Sequence, residues 1–512
     1  MDVGEMLFHR MFGGLRVAGT NGLENGLMSH VRDSAAGGGL MDSSLTCSVH
    51  VNVNCKIVSS SLLPVACTSS RWNWMSSFID CVWLRVLSAD IVIDEFDWWY
   101  DGLVMGWDVR HAKDVMPKRR RSMKDSRAFG PVLQRLTSEE TRGVGGRYVP
   151  ASVRNTFWGV LPSRTDGPIA SISSGQRITI DTISHEGLMP DQGSDPVRYF
   201  GSRGIGRDEL LEDAIAIPAC KSRGEHDGSH VVTGPIEVKG AKPGDVLMVS
   251  VDRLERRAPY GVISTRHGRG VMVDSELEGD YGALCKVISV DGAAFGQIVP
   301  DGTRFHDQAL DKTDYPAFPL RPFLGIMGVT PDSDERKCSI PPYAFGGNID
   351  VNDMTEGSTL FLPVQIDGAG FYIGDPHYAQ GDGEVALTAL EAPLRATVTL
   401  TVIPGKVADG LFGVHDRPFA YADGKLLALG LHEDLDEALR QSVAYSISLL
   451  SSLFHLPKKA IYLYLSAAAD FDVSQAVDLV RGIHSRIPLS HFEGPAADDL
   501  IGYVMQAVEQ GD

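Results

Sequence analysis

Residues 392–405 read "APLRATVTLTVIPG". Leu394, Ala396, Val398, Leu400 and Val402 fall on one side of an extended chain, and Arg395, Thr397, Thr399 and Thr401 on the other. Successive strand residues point to opposite faces, so this alternation predicts an antiparallel strand with one face buried. The pattern recurs upstream. "GQRITIDTIS" (175–184) carries Ile178 and Ile180 on one face, and "GPIEVKGAKPGDVLMVSVDRLERR" (234–257) holds two strand runs split by the turn "AKPGD", punctuated by Pro243 and Gly244. "GSTLFLPVQIDGAGFYIG" (357–374) extends the series. Short strands with Gly/Pro turns predict a mainly β (α+β) fold with a β-sandwich or barrel-like core.

Helical patterning dominates only near the end, so a helical C-terminal portion is expected. "EDLDEALRQSVAYSISLLSSLF" (433–454) sets Leu435, Leu439, Val443, Ile447 and Leu450 on one stripe, and "DVSQAVDLVRGIH" (472–484) is a second helical candidate. Residues 1–145 have a different character. Six of the seven tryptophans lie there, apolar clusters lack sustained periodicity, and the segment ends near the basic run "PKRRRSMK" (117–124). It reads as a poorly organised N-terminal extension, disordered or absent from the mature protein, with the basic run a solvated linker. Residues 146–405 are expected to form a β-rich catalytic core, and 406–512 an α/β C-terminal portion completing the same domain.

The 512 residues carry a formal net charge of −19, with 43% hydrophobic and 22% charged residues. Such a charge repels phosphates and argues against nucleic acid or an anionic membrane as partner. No run of eighteen uncharged apolar residues occurs, so no membrane span is expected. Seven cysteines without a CxxC pair suggest reduced thiols and a cytoplasmic setting.

Chemistry concentrates in "GDPHYAQGDGE" (374–384). Pro376 is expected to hold Asp375 extended, which would bring Asp375 and His377 to one face, and likewise Asp382 and Glu384. A carboxylate beside an imidazole suits a divalent ion or general acid–base work, whereas an ordinary acidic hairpin would show the same residues. Gly381 and Gly383 would let the backbone approach a substrate. Further candidates sit at strand ends: His185, Glu186 and Asp191 in "ISHEGLMPDQG", His230 in "GSHVVTGPIEV", His267 in "STRHGRG", and Asn348, Asp350 and Asp353 in "FGGNIDVND". Loops at strand ends are where sites are usually built. No GxSxG elbow or P-loop occurs.

With these stretches assembled, the chain resembles the acetamidase/formamidase family. "HVVTGPIEVKGAKPGDVL" (230–247), "GGNIDVNDMTEGSTLFLPV" (346–364), "GDPHYAQGDGEVALTALE" (374–391) and "YLSAAADFDVSQAVD" (464–478) carry the likeness, in that order. Pro376 and Tyr378 depart from the family's phrase. The resemblance implies hydrolysis of the C–N bond of a small linear amide to carboxylate and ammonia. It also implies a metal-dependent site and a homodimer or larger homo-oligomer. The expected ligands of a divalent ion, zinc, are Asp375, His377, His230, Asp191 and His185. Glu384, Asp382 and Asp350 are expected to be catalytic, with Glu384 the base. Asn348, Gly381, Gly383 and His267 are expected to bind substrate, with glycine-segment N–H groups serving the oxyanion. The alternatives are a non-catalytic small-molecule-binding β protein, or a metal-dependent lyase or cyclic-amide hydrolase.

Overall fold

The computed structural model describes residues 131–266, 269–273, 275–277, 279–300, 302–307 and 315–511, and the backbone of two strands upstream. The chain divides into two units, Met1–Ser122 and Met123–Asp512. In the first, Glu95–Tyr100 and Leu103–Asp108 form an antiparallel ladder.

The second unit is organised on the strand legible in 392–405. Leu394–Ile403 pairs antiparallel with Gln176–Asp181 on one side and Val246–Arg256 on the other. The sheet continues through Thr359–Pro363, Phe419–Ala422, Lys425–His432 and Arg481–Pro488 to Asp470–Gln475, and ends at Tyr148–Val149 on the opposite edge, nine strands in all. Ala396, Val398 and Leu400 point into the core with Ile178, Ile180, Leu247 and Val249. On the polar face, Thr397 Oγ1 lies 2.9 Å from Thr179 Oγ1, and Arg395 Nε donates to Asp181 Oδ1 at 2.7 Å.

The core's other wall is a twelve-stranded sheet. Its centre is Phe371–Ala379, flanked by Phe323–Val329 and Val231–Lys239. These strands are buried almost throughout because both faces are covered. Ile326, Val329, Phe371 and Ile373 meet the inward residues of the nine-stranded sheet, giving a two-sheet sandwich.

Helices cover the far side of the nine-stranded sheet. Val246, Met248, Phe361, Ile403 and Phe419 pack there against Phe412, Tyr445 and Leu449. The long helix Leu435–Phe454 starts at Asp434, whose side chain accepts from Glu437 N. Its buried face runs through Ala438, Ser442, Tyr445, Leu449 and Leu453; of the expected stripe Leu450 is buried and Val443 and Ile447 pack at the edge of the core, whereas Leu439 is 39% exposed. The cause is close approach. A β-carbon on Gly430 would collide with Ala438 O and Ser442 N, so only small residues fit inward at that height. The second expected helix is absent. Asp470–Gln475 and Arg481–Pro488 are strands, paired with Val473 opposite Ile483. The spacing of Val473, Val477 and Val480 mimics a helix, but these β-branched residues flank a turn between strands. Among the described residues no helix is long and apolar enough to cross a membrane.

Phe361 stacks on Phe419 with ring centroids 4.4 Å apart and edges against Phe412 at 5.6 Å. Phe361→Ala should therefore cost about 3–5 kcal/mol. Thermal unfolding should record a drop of several degrees without loss of the β signature in circular dichroism.

Candidate active site

The strand Phe371–Ala379 delivers Asp375 and His377 to the interior. Asp375 does not adopt the extended backbone expected before proline. Its φ is +50°, a left-handed kink, and Pro376 nevertheless stays paired opposite Leu324. The two side chains converge all the same, with His377 Nε2 3.1 Å from Asp375 Oδ2. His377 Nε2 also lies 3.0 Å from Glu391 Oε1, brought opposite it by the short strand Leu390–Glu391.

Other segments close on this pair. His230, just before Val231–Lys239, sets Nε2 3.7 Å from Asp375 Oδ2, and His185 sets Nδ1 3.7 Å from Asp375 Oδ1. Asp350 Oδ1 is 3.9 Å from His377 Nδ1. Three groups hold possible ligand atoms within 4.8 Å of one another: His185, His230 and Asp375; Asp350, His377 and Glu384; Asp375, His377 and Glu391. All these residues are buried. What admits so many polar atoms is a missing side chain. A β-carbon on Gly325 would come closer than 3.0 Å to Asp350 Oδ1, Asp375 Oδ2 and His377 Cε1.

Burial and neighbouring charges set the protonation pattern. Burial pushes His230 down to about 4, so its ring is neutral. Its Nδ1 lies 3.1 Å from Ser339 O, which turns Nε2 toward Asp375. Burial drives the Asp350 and Glu384 carboxyls well up, and neighbouring carboxylates add to it. Burial, then Asp375, raises Glu391. Asp478 is lifted by burial to about 7, and it accepts from Asn348 Nδ2 at 2.9 Å. For Asp375 burial acts upward, but the imidazoles of His230 and His377 outweigh it and hold the group well below the usual carboxylate range. His377 is raised against the effect of burial by Glu391 and Asp375.

Other expected residues lie elsewhere. Asp191 is in none of the three groups. It pairs with Arg266 at 3.0 Å, and Arg266 also binds Glu186 at 2.5 Å. Asp382 is exposed and held by Arg486 through contacts of 2.9 and 3.0 Å, because this cation captures it before it can turn inward. Gly383 N–H donates to Ser474 O at 3.3 Å, and Gly381 is exposed with its carbonyl bonded to Glu384 N. The Gly383 N–H is thus spent on loop shape rather than turned to an oxyanion. The 346–348 segment is a strand paired with 326–328. His267 lies outside the described residues.

Glu391, Asp478 and Gly325 escaped the sequence reading. The first two do close quoted phrases, at 391 and 478, but only pairing across the sheets reveals that they face His377 and Asn348. Ser264 Oγ donates to Glu186 Oε1 at 3.0 Å, and a cavity of about 560 Å³ opens beside Ser264 and Arg266. Glu186 Oε1 is 3.6 Å from His185 Nε2, so the cavity adjoins the cluster through one carboxylate.

Comparison with known proteins now bears on this site. Residues 333–493 match the model of the Acetamidase/Formamidase family. The acetamidase of Mycolicibacterium smegmatis is 28% identical over 198 residues, covering 30% of this chain and 49% of the relative. The formamidase of Methylophilus methylotrophus is 23% identical over 317 residues, covering 52% of this chain and 77% of the relative. The chain thus spans about half the length of the mycobacterial enzyme. A solved acetamidase from Yersinia enterocolitica shares the fold with a TM-score of 0.53 at 18% identity, over 75% of this chain and 100% of that one. Asp350, Asp375, His377, Glu384, Glu391 and Asp478 all lie within the stretch that matches the Acetamidase/Formamidase model, so the buried cluster falls in the part of the chain similar to that family.

Proposed function

We propose that this protein hydrolyses the C–N bond of a small linear amide, of the formamide or acetamide kind, to a carboxylate and ammonia. The observation that carries the reading is the buried cluster of Asp350, Asp375, His377 and Glu384 with His185 and His230, set in the space left by Gly325. The names of the matched relatives support it.

The donor set fits a divalent cation. Among the described residues, both Asp350 carboxylate oxygens, Asp375 Oδ1, His185 Nδ1 and His377 Nδ1 are buried without a hydrogen-bond partner. Buried acids at this density repel one another unless a cation or protons offset them. His185, His230 and Asp375 would hold the ion, with His377 and Glu391 beside them, and nitrogen with carboxylate donors suits zinc. When bound, such an ion supplies Lewis-acid activation of water and of the amide carbonyl.

The chain's own groups supply the rest. The Ser339 carbonyl fixes the His230 ring, an orienting contact of the kind that ligating histidines use. Glu384, with its raised carboxyl, takes a proton as water oxygen bonds to the amide carbon, then delivers it to nitrogen as the C–N bond breaks. Ammonia leaves, the acid's remaining proton passes to it or to solvent, and the carboxylate remains. Asn348 Oδ1 is buried and unpartnered, and it can accept from the substrate's NH2 group. On the same reading the enzyme is a cytoplasmic homo-oligomer.

Ammonia release across primary amides of increasing acyl length tests the reading. Turnover that saturates with at least one member supports it, and none across the series contradicts it. Glu384→Gln should lower kcat by about 100-fold or more, the scale of general acid–base catalysis, with the melting temperature kept. Unchanged kcat would remove Glu384 as the base. Gly325→Ala inserts one methyl among three polar groups and should abolish turnover while costing about 1–3 kcal/mol of stability, read by denaturant titration.

A further inference from the structure

We propose that Arg486 is a positioning residue that holds the loops carrying Asp350 and Glu384 in a single geometry. The inference rests on the amide-hydrolase reading for what those carboxylates do.

Arg486 lies on the strand Arg481–Pro488. Its Nε donates to Asp353 Oδ2 at 2.5 Å, Nη1 to Asp382 Oδ2 at 2.9 Å, and Nη2 to Asp382 Oδ1 at 3.0 Å and Asn352 Oδ1 at 3.1 Å. Nη1 also lies 2.7 Å from Asp472 Oδ2. One planar guanidinium thus joins residues just after Asp350 to a residue just before Glu384. A lysine ammonium, with three donors and no fork, cannot reproduce that pattern.

The loops need such a tie. Asp350 has φ +48° and Glu384 has φ +47°, a left-handed conformation that residues other than glycine keep only when their surroundings over-determine it. Further bonds run between the same loops. Asn352 Nδ2 donates to Asp382 Oδ1 at 2.9 Å, and Gln380 Nε2 donates to Asp350 O at 3.0 Å and Ser474 O at 3.1 Å. Gly383 N–H reaches Ser474 O at 3.3 Å. Behind them His484, fully buried, sets Nδ1 2.8 Å from Ser474 Oγ and Nε2 3.7 Å from Asp353 Oδ2. Arg486 contacts the loops and touches none of Asp350, Glu384 and His377, so it acts through geometry.

The test uses the full chain with Arg486→Lys, Arg486→Gln and, as a second breach of the same tie, Asp382→Asn. Backbone amide exchange by mass spectrometry should accelerate about tenfold or more over 350–353 and 380–385. Exchange in the helix Leu435–Phe454 should stay as in wild type. In wild type that turns over an amide, Arg486→Gln should lower kcat about 10–100-fold with KM nearly constant, and millimolar guanidinium should restore part of kcat to Arg486→Ala. Wild-type exchange in the two loops, or acceleration spread evenly through the domain, would overturn the proposal. Amide exchange reads the tie whether or not an amide is cleaved. A wild type inert to every amide therefore sinks the hydrolase reading without deciding the role of Arg486.

Discussion

The contact between His377 and Asp375, 3.1 Å apart in a space kept open by Gly325, is the constraint around which the domain is arranged. A buried charged pair is costly unless further charges and hydrogen bonds compensate it. Here Glu391, His185, His230 and Asp350 crowd the same volume. The left-handed backbone at Asp375, Asp350 and Glu384 is the conformational counterpart of that crowding, with strained residues gathered at one place.

The sandwich gives this cluster its rigidity. Phe371–Ala379 is held on both sides by Phe323–Val329 and Val231–Lys239, so Asp375 and His377 can shift only if a central ladder shifts. The nine-stranded sheet supplies the opposing apolar wall and, through Ser474, Asp478 and Arg486, the polar braces. C-terminal helices seal its outer face. Strands therefore place the imidazoles, loops place the raised carboxyls, and one arginine joins the loops.

Much of this was legible in the chain. The alternation in 394–402 announced its strand and its core face, although the other face is covered as well, with Arg395 and Thr401 buried. The convergence of Asp375 and His377 was legible too, although it arises through a kink rather than extension. Local sequence failed where distant partners decide. Asp382 and Asp191 looked equal to the buried acids until Arg486 and Arg266, 104 and 75 residues away, captured them. Glu391 and Asp478 lacked any local signature, and Gly325 acts by what it lacks. The helical reading of 472–484 failed because valine spacing is ambiguous when a turn interrupts strands.

His185, His230 and Asp375 come together in the interior as a group that could hold one cation, and the proposed hydrolysis depends on their doing so. Titration of chelator-stripped protein with zinc in a calorimeter, repeated in two buffers of different ionisation enthalpy, tests it most directly. The account predicts tight binding of about one equivalent with a measurable proton count, lost in His230→Ala while the unfolding transition stays cooperative. Equal binding by wild type and His230→Ala, or no binding by either, would contradict it.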